Sequence, residues 1–322
     1  MLFWITSAKI SIKLSAKLEN ENGRWYISNI VTNSSDNTTV SGQVKLMYPY
    51  ELADKVEPIN GESKPGTFEK YKMPLPADIE TGESINITTA FVRNDGAPSI
   101  YNTQRLDFIY APKASGVKID GDLSEWDSGW MYLNNREQFE QLNGYRIEYS
   151  GPNDVWAKTA LKWDEENLYF AAEVHDDVFY STGYEPKDTW NLDSMQLAFL
   201  YDPDGKIKST STFEEIAFSY LDKSSVIYRH KTIQQGLADA TKVEGSEISI
   251  VENGDTMYYE VKLPWASLLP DDYALPTGGT EFKFALILNE NDGLGRKGYY
   301  KIGDGIGNGK NSSKFLTILL AE

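Results

Sequence analysis

The chain has 322 residues, 40% hydrophobic and 25% charged, with a formal net charge of −17 and no cysteine. This composition describes a cored globular protein of two domains or one large one. It excludes disulfides, zinc–thiolate sites, iron–sulfur clusters and thiol nucleophiles, and it argues against nucleic-acid binding driven by counterion release.

Two histidines, His175 and His230, leave almost no material for a Ser-His-Asp triad or a multi-histidine metal site. No window approaches the ~20 apolar residues of a membrane helix, so membrane insertion is not expected. The opening residues, Met1 to Lys9, are apolar but short and lack a basic leader, so they do not read as a complete signal peptide. The 8 Trp, 20 Tyr and 13 Phe suit half-buried pleated surfaces.

In chain order, alternating runs fall at 9–14, 25–31, 40–46, 85–88 and 106–110. Period-two alternation with polar turns such as Glu21-Asn22-Gly23 predicts antiparallel strands. Prolines at 49, 58, 65, 74 and 76 leave no room for a long helix. About seven short strands in ~110 residues predict an immunoglobulin-like sandwich. The segment resembles the fibronectin-type or immunoglobulin-like spacers of bacterial extracellular glycan-active proteins. The stretch 75–83 resembles their pre-strand turn.

A break follows at Ala111-Pro112-Lys113-Ala114-Ser115-Gly116, where small residues, Pro and Gly cluster. Residues 1–112 carry 11 Lys and Arg against 13 Asp and Glu, a net of −2. Residues 113–322 carry 20 against 35, a net of −15. The asymmetry predicts two bodies, 1–112 and 113–322, with different roles.

In the second body, runs at 155–162, 168–174, 195–200, 257–263 and 282–288 alternate between an apolar and a mixed face. They predict an all-β, jelly-roll-like sandwich of two sheets. Pro264 opens a short helical turn through Leu268.

Six stretches then appear in order. They are Ile119-Asp120-Gly121-Asp122-Leu123-Ser124-Glu125-Trp126; Ala160-Leu161-Lys162-Trp163-Asp164 with Asn167-Leu168-Tyr169-Phe170-Ala171; Val174-His175-Asp176-Asp177; Trp190-Asn191-Leu192-Asp193-Ser194-Met195-Gln196; Tyr259-Glu260-Val261-Lys262-Leu263-Pro264-Trp265; and Asn289-Glu290-Asn291-Asp292-Gly293 with Gly295-Arg296-Lys297-Gly298. Together they resemble carbohydrate-binding module family 9, within the wider DOMON-like sandwich group. The resemblance implies a calcium-stiffened sandwich in which two aromatic side chains clamp a terminal sugar and polar groups bond its hydroxyls.

By that resemblance Trp190 is the first clamp, and Gln196 stands where the family commonly carries an acid. Parity places Trp190, Gln196 and Ala198 on one face if the strand begins at Trp190, opposite Met195, Leu197 and Phe199. The second clamp is missing, because Ile302 holds the position of the family's Trp. Tyr300, two residues earlier, is the proposed substitute. Asn289, Asn291 and Arg296 are the remaining polar candidates. Asp120 with Asp122, and Asp176 with Asp177, are the candidate calcium ligands, since calcium needs clustered hard oxygens.

A glycan-cleaving enzyme needs two placed carboxylates. With 35 acids in the second segment a pair is always available, and none is singled out, so no catalytic residue is expected. Haem ligation through His175 or His230 is not expected either, because acids adjoin the first and cations flank the second. The expectation is a non-catalytic, polysaccharide-binding region of an exported or cell-surface bacterial protein. Its partners would be neutral polysaccharide, since acidic surroundings disfavour anionic glycans, and a catalytic domain of a glycoside hydrolase or polysaccharide lyase. The alternative is a structural accessory domain whose sugar site has been lost.

Overall fold

The computed structural model describes residues 11–21, 24–76, 84–142, 149–234, 237 and 240–321. The expected turn at 75–83 and the Asn22-Gly23 turn lie largely outside the described residues. The chain divides into two compact units, one through Phe108 and one spanning Ile109–Ala321.

The first unit has seven strands: β1 (Ile12–Glu21), β2 (Arg24–Asn33), β3 (Val40–Tyr48), β4 (Ile59–Ser63), β5 (Thr67–Pro74), β6 (Ser84–Arg93) and β7 (Ile100–Asp107). They form two antiparallel sheets, β1-β2-β5 and β4-β3-β6-β7. Alternation drives burial: in β3, Val40, Val44 and Leu46 point inward while Ser41 and Gln43 do not. The proline-broken middle still carries β4 and β5, because Pro58, Pro65 and Pro74 sit at strand ends where no ladder N–H is needed. Only a single helical turn, Tyr50–Ala53, precedes them.

The run expected at 106–110 is two strands. β7 ends at Asp107, and β8 (Ile109–Ala111) belongs to the second unit, pairing in parallel with its last strand. The boundary therefore falls at 108/109 rather than 112/113.

The second unit continues with β9 (Met131–Leu133), β10 (Phe139–Gln141), β11 (Val155–Trp163), β12 (Asn167–Asp176), β13 (Ser194–Leu200), β14 (Glu214–Leu221), β15 (Ser224–Lys231), β16 (Glu247–Asn253), β17 (Thr256–Pro264), β18 (Glu281–Glu290), β19 (Gly298–Ile302) and β20 (Leu316–Leu320). One sheet runs β10-β19-β18-β13-β14-β15, with β20 pairing both β18 and β8. The other runs β16-β17-β12-β11-β9. A large core fills the space between them, including Met195, Leu197 and Phe199 of β13, Phe170 of β12 and Val261 of β17. Phe170 stacks on Phe218 of β14 with centroids 5.1 Å apart. The helical turn is Trp265–Leu268, with Pro264 as its N-cap rather than its first helical residue.

The larger sheet is covered on its outer side as well. Ala198, Phe213, Ala285, Ile287, Tyr299, Ile306 and Phe315 form a second cluster there. This explains why β13 is buried along both faces. Among the described residues no helix is long and apolar enough to cross a membrane.

Candidate functional site

Trp190 does not start a strand. It lies in a 3-10 turn, Pro186–Asn191, whose first residue is a proline with φ already preset for a helical turn. Its neighbours are held from several directions. Thr189 Oγ1 meets His230 Nε2 at 3.1 Å, and the Ser194 hydroxyl donates to the Thr189 carbonyl at 2.6 Å. Asn291 Nδ2 donates to the Asn191 carbonyl at 2.6 Å, and the Arg296 amide donates to Asn191 Oδ1 at 3.0 Å. Trp190 itself is 46% exposed. A large apolar ring left open between anchored neighbours is a preorganised surface.

The ring borders an open groove of about 390 Å³, lined by Gln196, Glu215, His230, Lys231 and Arg296, and by the loop carrying Ile306, Gly307, Gly309 and Lys310. Gln196 comes from β13 and projects to the outer side, as alternation with Met195 and Leu197 requires. Behind it a polar relay fixes the amide. Asn289 Nδ2 donates to Gln196 Oε1 at 2.9 Å, and Gln196 Nε2 donates to Glu215 Oε1 at 3.1 Å. Lys310 Nζ donates to that same oxygen at 2.6 Å. Glu215 Oε2 is buried and has no hydrogen-bond partner among the described residues. Burial pushes the Glu215 carboxyl up, opposed by Lys310, Lys231 and Arg296. Burial, with Lys310 beside it, pulls His230 down to about 4, so its imidazole is neutral near pH 7.

The sequence candidates separate. Trp190, Gln196 and Arg296 line the groove together. Asn289 stands one layer behind Gln196. Asn291 is a turn residue: its Oδ1 accepts from the Gly293 and Gly295 amides at 2.7 and 3.0 Å, and it does not reach the groove. Tyr300 cannot be a clamp. It and Ile302 both face the inter-sheet core, and Tyr300 is wholly buried, edge-on to Phe139 and hydrogen-bonded to the Tyr149 hydroxyl. The side chain that faces outward is Tyr299, which lies flat beneath the Arg296 guanidinium at 4.3 Å.

Glu215, His230, Lys231 and Lys310 were not among the candidates. The signal for Glu215 was two adjacent acids inside the apolar run Phe213-Glu214-Glu215-Ile216-Ala217-Phe218. In β14 they point to opposite faces. Glu214 pairs with the buried Arg229 at 2.8 Å, and Glu215 faces the groove.

The acidic candidates separate too. Asp120 and Asp122 cap their own turn, accepting from the Asp122 and Ser124 amides. The Asp120 and Gly121 amides bond Glu260, which pairs with Ala171 five residues from Asp176 along β12, roughly 17 Å away at ~3.4 Å per residue. Asp120 and Asp122 join no cation-sized group of carboxylates among the described residues. Asp177 is exposed and stands outside both such groups.

Asp176, by contrast, gathers with Asp193 and Glu290, all buried, and Glu290 gathers also with Asp154 and Asp292. Lys297 fills the second trio, at 2.6 Å from Asp154, 3.2 Å from Glu290 and 2.6 Å from Asp292. No basic side chain pairs with Asp176 or Asp193 among the described residues. Burial and then the neighbouring acids push Asp176 up to about 7 and hold Asp193 and Glu290 well above the carboxylate range. Glu290 Oε2 and Asp292 Oδ1 are buried without hydrogen-bond partners among the described residues. Such a hard-oxygen donor set with one unmatched trio fits a divalent cation such as calcium.

A family model described as "Carbohydrate family 9 binding domain-like" matches residues 119–322. The chain belongs to that family. The family 9 module thus accounts for nearly all of the second unit, and its family consists of non-catalytic binding domains. Solved structures similar to it include a family 9 carbohydrate-binding module from Caldicellulosiruptor kristjanssonii, seen in complexes with cellotriose and with glucose. The first is 23% identical with a TM-score of 0.49, covering 66% of this chain and 93% of that one. The second is 22% identical with a TM-score of 0.48, covering 66% and 94%. A Bacteroides uniformis protein is 9% identical, with a TM-score of 0.44 and coverages of 66% and 97%. No curated protein matches the chain significantly.

Proposed function

We propose that the groove beside Trp190 is the sugar site of this family 9 module, and that the chain is a polysaccharide-binding region of an exported or cell-surface bacterial protein. The observation that carries this reading is the open indole of Trp190 on a turn fixed by its neighbours. A pyranose needs a flat apolar surface for its C–H face and planar polar groups for its hydroxyls. Trp190 supplies the first. Polar side chains lining the groove, Gln196 and Arg296 among them, supply the second. Ile306 and Gly307 line the groove with Trp190, and no second aromatic ring does among the described residues. Gly307 is obligatory there, since a Cβ would stand 2.3 Å from the Tyr299 ring.

A divalent cation, calcium by its ligand preference, would be held by Asp176, Asp193 and Glu290. It would neutralise carboxylates whose mutual repulsion otherwise opposes their ionisation. Asp193 also accepts the Asn291 amide at 2.7 Å, which ties the acid cluster to the anchor of the Trp190 turn. The first unit, with near-balanced charge and two sheets of its own, serves as a spacer, and a catalytic domain is the partner such a region would carry.

The test is titration calorimetry with oligosaccharides on wild type and Trp190→Ala. Truncating an aromatic anchor costs about 2 kcal/mol or more, ~30-fold in Kd. Unchanged affinity in a folded Trp190→Ala protein would remove the site.

A further inference from the structure

The near-balanced charge of the first unit is unevenly divided between its surfaces. In the sheet β1-β2-β5, Leu18, Ile27, Val31 and Met73 face the core. Alternation and register therefore turn Lys13, Lys17, Arg24, Lys70 and Lys72 to the opposite face, with Glu19 and Glu21 as its acids. No other acid stands at an outward position of these three strands. Of the 11 cations and 13 acids of residues 1–112, this face thus holds five against two, a net of +3, and leaves six against eleven elsewhere. The excess converges. Lys17, Lys70 and Lys72 all pair with one carboxylate, Glu19, at 3.2, 2.5 and 2.9 Å, and Lys72 also pairs with Glu21. Burial raises the Glu19 carboxyl, yet the bonds from Lys70, Lys72 and Lys17 override it and bring Glu19 down to about 2. The ammonium groups stay open to solvent, since the Lys17, Lys70 and Lys72 side chains are 53%, 41% and 32% exposed. Lys13 and Arg24 are exposed and make no ion pair among the described residues. Aromatic surface lies among these charges. Arg24 and Lys72 stand 5.8 and 5.9 Å from the centre of the Tyr26 ring, and Phe68, at one end of the face, is 73% exposed.

We propose that this sheet face binds an acidic polysaccharide, a chain of uronate-type pyranoses whose carboxylates are met by the lysines of β1 and β5 and whose rings lie against Tyr26 and Phe68. The first unit is then a binding body as well as a spacer, and the inference does not depend on the groove beside Trp190. Ammonium and guanidinium donors make charge-assisted bonds to a carboxylate that a neutral hydroxymethyl group cannot replace. The shape of the strip selects among polyanions. Strands lie ~4.8 Å apart, so β1 and β5 flank β2 across roughly 10 Å. One extended saccharide chain covers such a strip. A bilayer or a nucleic-acid duplex reaches past it onto a protein whose net charge is −17 and is repelled there. The expectation of neutral glycans rests on the acidity of the second segment, which this face does not share.

The experiment titrates the full chain with a galacturonate decamer in a calorimeter, at low and high salt, for wild type, for Trp190→Ala and for Trp190→Ala carrying Lys13→Gln and Lys70→Gln. Phosphatidylserine vesicles run alongside. Trp190→Ala should still bind the decamer, and high salt should weaken that binding, because exposed charge pairs are screened. Adding Lys13→Gln and Lys70→Gln should weaken it about tenfold, the upper range for two exposed ion pairs. Should that variant fail to fold, Arg24→Gln, which breaks no ion pair, takes its place with a loss of about threefold. Absence of binding to wild type, or binding that the lysine replacements leave unchanged, would overturn the proposal. Binding by wild type that Trp190→Ala abolishes would also overturn it, and would place the acidic chain in the groove. Tighter capture of the vesicles through the same lysines would replace the polysaccharide by a lipid surface.

Discussion

Trp190 reaches the groove by a route that alternation does not describe. Parity counted from residue 190 puts it on the side of Gln196, and it does lie there, but the chain between them is a 3-10 turn followed by an extended link. Parity holds only from Ser194 onward, where Gln196 and Ala198 face out and Met195, Leu197 and Phe199 face the core. His230 shows the reverse. Its charged neighbours in sequence suggest a solvated residue, yet it is half-buried against Thr189. Its folded-state pKa near 4 lies below the ordinary value of 6.5, so the unfolded chain binds more protons between the two. Stability from this group is therefore present above about pH 6.5 and is lost as pH falls toward about 4. In urea titrations across that window, His230→Asn should lose less stability on acidification than wild type. Parallel profiles would show that His230 does not titrate as argued.

At the scale of elements, the strands missed in sequence include β4, β5, β15 and β16, which are only partly buried, and strands of the larger sheet whose outer face is covered. β14, β19 and β20 read as apolar or irregular because the outer side of the larger sheet packs under the loop at 303–315. Alternation is a signal only where one face meets water. β19 also explains the lost clamp. Tyr300 and Ile302 share a face, and pairing with β18 and β10 turns that face inward. Gly298 sits in this pairing opposite Gln141, where a Cβ would lie 2.5 Å from the Phe139 ring and 2.7 Å from the Glu140 carbonyl. Gly298→Ala should cost about 1–3 kcal/mol by forcing β10 away from β19. Chemical denaturation measures it, and a neutral effect would mean that β10 is not held as closely as described.

At the scale of the whole molecule, the carboxylates of the buried cluster come from five places in the sequence. Asp154 precedes β11, Asp176 ends β12, Asp193 precedes β13, Glu290 ends β18 and Asp292 follows it. Calcium should therefore stabilise the folded chain and have little to bind once it unfolds. At a hundredfold excess over Kd the gain is about 2.7 kcal/mol, or roughly 5–10 °C in Tm for a unit of this size. Asp193→Asn, which keeps an acceptor for one of the Tyr180 and Asn291 amides and removes the charge, should abolish most of the shift. Differential scanning calorimetry with calcium and with chelator checks both, and an equal shift in Asp193→Asn would place the ion elsewhere. Because the cluster anchors the Trp190 turn, chelation should weaken sugar binding in parallel.

The sequence alone determined the all-β class, the presence of two bodies and the family of the second, and it named Trp190, Gln196 and Arg296, which the fold brings to one groove. Each of these rests on local pattern or on motifs in linear order. Tertiary structure decided which acids share a cavity, which face of β19 is solvent and which charges line the groove. Those depend on strand register and on loops folding back over a sheet. Glu215, Lys231 and Lys310 become neighbours of Trp190 only because β14, β15 and the loop after β19 converge on one side of β13. A net charge of −15 over the second segment gives no sign that Lys231, Arg296 and Lys310 line one groove, because total charge carries no information about where each sign is placed.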